Sequence, residues 1–136
     1  MKTEADIRDD LYRYISSSEL KTALSGNIYK YDGERPDKSS KEDLVIAPLS
    51  DIPADELQEV IVNIRIYVAD LYDNAGSLYR AHGIRLREIQ DICKKVFDTF
   101  RTDEARCVLE TMKTFKVEGR DEHCIVNRIN YKHCNY

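Results

Sequence analysis

Apolar residues recur every three to four positions in two segments of the chain, which predicts two main helices. In residues 4–24 the apolar stripe consists of Ile7, Leu11 and Ile15. In residues 84–100 a longer stripe alternates with charged positions, and we expect it to pack on a sheet. Its members are Ile89, Ile92, Cys93, Val96, Phe97 and Phe100.

Three consecutive serines, residues 16–18, interrupt the first helical segment and leave a short second piece over residues 19–24. Gly26 and Asn27 follow, and both residue types tolerate the left-handed conformation that often ends a helix. The pattern therefore predicts that the helical segment ends at these two residues.

Alternation of apolar and polar residues predicts five strands, of which residues 59–69 are the clearest. Its first face should point into the core and comprises Val60, Val62, Ile64, Ile66 and Val68. Its second face comprises Ile61, Asn63, Arg65 and Tyr67, and because it is only half polar we expect it to contact another surface. The other predicted strands are residues 28–31, residues 43–48 ending at Pro48, residues 105–117 and residues 123–133, the last two joined by a turn over residues 118–121.

The element order α-β-β-β-α-β-β predicts an α+β fold with a mostly antiparallel five-stranded sheet and its two main helices on one face. The 136 residues fit a single domain, 1–136. Two connections should be exposed loops: residues 32–42, which contain no apolar residue, and residues 70–83, an irregular link with two glycines.

Composition excludes several classes of protein. The hydrophobic fraction of 42% and the charged fraction of 34% are those of a water-soluble globule. The net charge of −4 argues against a dedicated nucleic-acid binder, including an RNA-binding sheet domain. No apolar run approaches the length of a membrane span, and no apolar segment follows the charged start, so we expect no membrane association and a reducing cytoplasm.

The candidate chemistry is sparse. His123 and Cys124, with His133 and Cys134, offer zinc-ligand types, but neighbouring strand residues point to opposite faces and a continuous strand would separate the pairs by about 33 Å. His82 in a loop is the remaining candidate for a catalytic base, and the glycines are too scattered for a phosphate-binding loop. We therefore expect no metal, no cofactor and no enzymatic activity, with Cys93, Cys107 and Cys124 acting as small apolar core residues and Cys134 exposed near the C-terminus.

Several stretches together resemble the tail-completion or tail-terminator proteins of long-tailed bacteriophages. They are the helix from Ala5 to Tyr14, the segment Gly26-Asn27-Ile28-Tyr29 at the start of a strand, Arg35-Pro36 in a polar loop, and the long strand from Val60 to Val68. The similarity covers nearly the whole chain as element order and short motifs. It implies a structural, non-enzymatic subunit of the virion, made in the host bacterial cytoplasm.

The resemblance also implies partners: copies of the chain in a ring matching a six-fold tail tube, the tail-tube protein, and a head-neck connector protein. The outer face of residues 59–69 and the mixed charges of loop 32–42 suggest where such contacts form, because closed head-to-tail contacts generate rings. The candidate interface residues are Arg35, Lys38, Lys41, Ile61, Arg65 and Tyr67. The alternative that remains is a small intracellular α+β ligand-binding domain or enzyme, supported only by His82 and the cysteines.

Overall fold

The computed structural model describes residues 2–52, 57–102 and 104–134. The elements in chain order are α1 (Glu4–Ser16), α2 (Glu19–Ala23), β1 (Ile28–Tyr29), a single 3₁₀ turn (Asp32–Glu34), β2 (Leu44–Ile52), β3 (Leu57–Ala69), β4 (Leu71–Asp73), β5 (Leu78–Arg80), α3 (Gly83–Asp98), β6 (Ala105–Lys116) and β7 (Glu122–Cys134). None of the described helices is both long enough and apolar enough to span a membrane.

Five strands form one sheet in the order β1-β2-β3-β7-β6. β2, β3, β7 and β6 pair antiparallel, whereas β1 pairs with β2 in parallel. The α+β class is therefore confirmed, but the sheet is mixed and the described part contains three α-helices. The parallel pair arises because residues 30–43 return to the end of the sheet at which β1 begins, and the 3₁₀ turn is the only helical element described in that connection.

Two strand predictions need correction. The first strand ends at Tyr29 and does not reach residue 31. Pro48 does not end β2, which continues to Ile52 with a shift of register between Pro48 and Ser50. This is possible because β1 pairs only with Leu44 and Val45, so Pro48 lies on an open edge where a missing N–H group breaks no ladder.

The expectation of an irregular link over residues 70–83 is also wrong. β4 and β5 form a separate two-stranded antiparallel hairpin, in which Tyr72 pairs with Tyr79. Asp73 organises the turn between the strands, because its Oδ1 accepts hydrogen bonds from the N–H groups of Ala75 and Gly76 at 3.0 and 3.3 Å. Residues 71–80 are consequently an ordered projection.

All the described helices contribute to one core on one face of the sheet. The predicted inner face of β3 is buried throughout, and the stripe of α3 packs on it as expected. Phe97 and Tyr131 are completely buried, and the Tyr131 hydroxyl donates a 2.8 Å hydrogen bond to Asp10 Oδ2 on α1. No α-helix of the described residues lies on the opposite face, which is called the helix-free face below.

Gly26 does not use the left-handed conformation that its residue type tolerates, since Ser77 and Gly119 are the described residues with positive φ. Glycine is needed at this position because the backbone of Gly26 lies close to the backbone of Glu42. Gly26 N–H donates a 3.1 Å hydrogen bond to Glu42 O, and a Cβ atom at Gly26 would collide with that carbonyl group and with Asp43 Oδ1. Glycine thus lets the segment after α2 lie directly against the start of β2.

Candidate interaction surface

The helix-free face of the sheet has one end covered by residues 30–42 and one open end. Arg35 fixes this covering segment to the sheet. Its Nε donates to Asp43 Oδ2 at 2.9 Å, and its two terminal nitrogens donate to the two oxygens of Glu122 at 3.1 Å each. All three side chains are at least nine-tenths buried. This is a forked, charge-assisted arrangement for which arginine is uniquely suited.

The same guanidinium lies over an aromatic ring of β3. The Cζ atom of Arg35 is 3.9 Å from the ring centroid of Tyr67. Arg65 lies two residues before Tyr67 on the same face of β3, and it forms an ion pair with Asp32 at 3.2 Å. The structure thus brings together three of the candidate interface residues, but their contacts are with each other, with the loop and with Glu122 of β7.

Asp43 is kept ionised by its surroundings. Burial by itself would raise the pKa of this carboxyl group, but a 2.6 Å hydrogen bond from Ser39 Oγ, a 3.0 Å hydrogen bond from Asn27 N–H and the charge of Arg35 outweigh it. The pKa of Asp43 therefore lies below its ordinary value. The ionised carboxylate joins the segment after α2, the loop and β2.

Arg120, in the turn between β6 and β7, fixes the loop from the other side. Its terminal nitrogens donate to the backbone carbonyl groups of Asp37 and Ser39, and its Nε lies 3.1 Å from Glu122 Oε1. Lys38 and Lys41 remain exposed on the outside of the loop. Of the loop's three candidate interface residues, these two face solvent and Arg35 does not.

The open end of the helix-free face is partly apolar. Val108 of β6 is 40% exposed, and its cross-strand neighbour Asn130 is followed on the next strand by the half-buried Ile61. Arg106 and Lys113 on the same face form no ion pair with the described residues. Asn130 Oδ1 is buried and has no hydrogen-bond partner in the described part of the chain. These features indicate a surface with unused polar and apolar contacts.

The β4–β5 hairpin is the second surface of this kind. Leu71, Tyr72, Leu78 and Tyr79 are each between 42% and 52% exposed. The rings of Tyr72 and Tyr79 pack against each other with centroids 5.1 Å apart. No other described element packs against the hairpin with more than a glancing contact. Sequence reasoning missed it, although Leu-Tyr occurs on either side of the turn residues Asp73-Asn74-Ala75-Gly76.

The three histidines occupy structural positions. His82 Nδ1 lies 3.5 Å from Arg85 N at the start of α3, where it accepts as a cap. His123 Nδ1 lies 2.6 Å from the buried carboxylate of Asp70, and His133 lies 3.6 Å from Glu104. In the described residues no three His, Cys, Asp or Glu side chains are grouped so that they could hold a metal ion.

Cys93, Cys107 and Cys124 are buried and free, as the sequence predicted. Burial raises the pKa of each thiol to about 12. At neutral pH these groups are therefore uncharged and weakly nucleophilic. The side chain of Cys134 lies outside the described residues.

No family model matches the chain, and a search of curated proteins finds no significant match.

Proposed function

We propose that this chain is a structural subunit that assembles with copies of itself, in the manner of a tail-terminator or tail-completion protein. It would form a ring at the head-proximal end of a phage tail, between the tail-tube protein and a head-neck connector protein. The observation that carries the proposal is the five-stranded sheet with helices on one face only. Exposed apolar side chains such as Val108 and Phe115 lie on the face without helices, and contiguous exposed apolar patches mark interaction sites.

The internal order of the chain supports the same proposal. The loop over the covered end is fixed by Arg35 and Arg120, and the hairpin turn is fixed by Asp73. Surfaces that are ordered before they bind lose little conformational entropy on binding, which favours repeated assembly from identical copies. The similarity of element order to tail-terminator proteins supplies the biological setting.

The test is loss and restoration of tail assembly in the phage or prophage that encodes the chain. Removal of the gene should give tails of irregular length that fail to join heads, and the wild-type chain supplied in trans should restore normal particles. The Val108→Asp variant should fold but fail to restore them, whereas Lys94→Ala, on the solvent-facing side of α3, should restore them. Normal tail length and particle yield without the gene would overturn the proposal.

A further inference from the structure

Both faces of the β4–β5 hairpin are exposed to solvent. Tyr72 and Tyr79 lie directly opposite each other and form one face of the hairpin. Leu71 and Leu78 lie on the other face, where Asp73 and Arg80 form a 2.7 Å ion pair. The tyrosine face is apolar and the other face is mixed, and all four apolar side chains are about half exposed. A two-stranded hairpin with nothing packed on it is marginally stable in water, so this projection is suited to packing against a second surface.

Pairing through the edges of the main sheet is disfavoured. β6 has a register shift between Leu109 and Thr111 and carries Lys113 and Lys116, two devices that prevent edge-to-edge association. At the opposite edge, the Arg8 guanidinium donates to the carbonyl group of Ile46 beyond the end of β1. The open part of the helix-free face is therefore the more suitable site for docking.

The open face and the hairpin have complementary chemistry. Among the described residues a cation lies over a tyrosine ring three times: Arg8 over Tyr31, Lys30 over Tyr12 and Arg35 over Tyr67. The rings of Tyr72 and Tyr79 have no such partner in the described part of the chain, and neither Arg106 nor Lys113, on the helix-free face, forms an ion pair with a described residue. A cation over an aromatic ring is stabilising, and the contact strengthens when water is excluded.

The tyrosines also offer hydroxyl groups to a docked surface. Neither hydroxyl group has a hydrogen-bond partner among the described residues, and the face presents the exposed Val108 beside the half-buried Ile61. Each chain thus carries both a surface with exposed tyrosines and a surface with exposed cations and apolar side chains. The hairpin touches the rest of its own molecule only slightly, so it leaves its own helix-free face uncovered.

The geometry points to docking of the hairpin of one molecule on the helix-free face of a second copy, with Tyr72 and Tyr79 packed on Val108 and beside Arg106. The contact joins two different surfaces, so each molecule in an assembly uses its hairpin once and its face once. Such a head-to-tail contact closes into a ring or extends as a filament. This inference rests on the proposed self-assembly and names the surfaces that perform it.

Light scattering on size-fractionated protein over a range of concentrations tests the inference. The hairpin variant carries Tyr72→Ser and Tyr79→Ser, and the face variant carries Val108→Asp. Tyr12→Ser is the control, because it removes a partly exposed tyrosine from α1, away from both surfaces. Circular dichroism and thermal melting establish that each variant is folded.

The wild-type and Tyr12→Ser chains should form oligomers as concentration rises, and each surface variant alone should stay at the monomer mass of 15.8 kDa. An equimolar mixture of the two surface variants should give a species of twice that mass and nothing larger, because only one intact hairpin and one intact face remain per pair. A wild-type chain that stays monomeric, a surface variant that still assembles alone, or a mixture that stays monomeric would each overturn the inference. These readouts are independent of tail assembly, so docking can be confirmed while the tail function fails, and the reverse.

Discussion

Arg35 lies over the ring of Tyr67, with its guanidinium carbon 3.9 Å from the ring centroid, and the same guanidinium bridges the carboxylates of Asp43 and Glu122. Val45 and Cys124, on the same face of the sheet, are each only 1% exposed. One polar side chain therefore connects the loop to β2, β3 and β7 and closes this end of the helix-free face.

Replacing Arg35 should destabilise the protein strongly. Arg35→Ala leaves Asp43 and Glu122 buried, negatively charged and without their shared cation, so we expect a loss of about 3–5 kcal/mol in the free energy of unfolding. Arg35→Lys should recover part of this loss, because one ammonium group cannot reproduce the fork. Urea unfolding followed by circular dichroism measures both.

Lys38→Ala is the matched control in the same loop, and since Lys38 is exposed its effect should stay within about 0.5 kcal/mol. Equal stability of the Arg35→Ala and Lys38→Ala proteins would show that the buried cluster does not hold the loop. Because deletion of residues 33–41 would remove Arg35, such a deletion reports on folding and is unsuitable as a test of a partner interface.

The free energy of unfolding should depend on pH at acidic values, because Asp43 titrates there. The folded-state pKa of Asp43 lies below the ordinary value of 3.8, so its ionised form contributes stability that is complete above that value and is lost as the pH falls through the folded pKa. Urea midpoints measured from pH 6 to pH 2 should therefore fall below about pH 4 in the wild-type protein.

The Asp43→Asn variant should be less stable at pH 6 and should lose less stability on acidification. Asp37→Asn is the control, since its side chain is exposed and forms no ion pair with the described residues. The lowered pKa values of Asp10 and Glu42 act in the same direction, so some acid dependence must remain. An unchanged slope in Asp43→Asn would contradict the assignment.

The regular periodicities predicted most of the core. The alternation along β3 and the stripe of α3 place Val62, Ile64, Ile66 and Phe97 correctly, because burial of a whole face or stripe leaves a repeating signal in the sequence. The strand pair β6–β7 and its turn were predictable for the same reason, with Gly119 at positive φ. Fold class follows from such local signals.

Long-range features could not be read in this way. The parallel pairing of β1 depends on residues 30–43 crossing the sheet, and the loop owes its position to Arg35, whose partner Glu122 is 87 residues away in the chain. Charged residues in a segment without apolar residues look exposed, although a complementary pair can bury them. Hairpin β4–β5 was missed because strands of three residues give little alternation, and its turn residues suggested only a loop.

Gly26 should be intolerant of any side chain. A Cβ atom there would lie 2.5 Å from Glu42 O and closer still to Asp43 Oδ1, so Gly26→Ala must displace the start of β2 and weaken the Asp43 cluster. We expect a loss of about 1–3 kcal/mol in the free energy of unfolding. At Gly33 nothing lies within 4 Å of the added atom and the backbone is not in the left-handed region, so Gly33→Ala should change stability by less than about 0.5 kcal/mol. Equal effects at the two positions, measured by thermal or urea unfolding, would exclude close approach as the reason for glycine at residue 26.

Phe97 tests whether the helices stabilise the sheet from one side only. Its side chain is fully buried between α3 and the sheet, so Phe97→Ala should cost about 3–5 kcal/mol through lost burial and the cavity that remains. Phe115 lies on the helix-free face of β6 and is 52% exposed, so Phe115→Ala should cost about 1 kcal/mol or less. The two variants remove the same atoms from opposite faces of one sheet, and urea unfolding of dilute, monomeric protein compares them directly. Similar losses for both would mean that the face without helices is also packed in the isolated molecule, which would remove the surface on which self-assembly is proposed to depend.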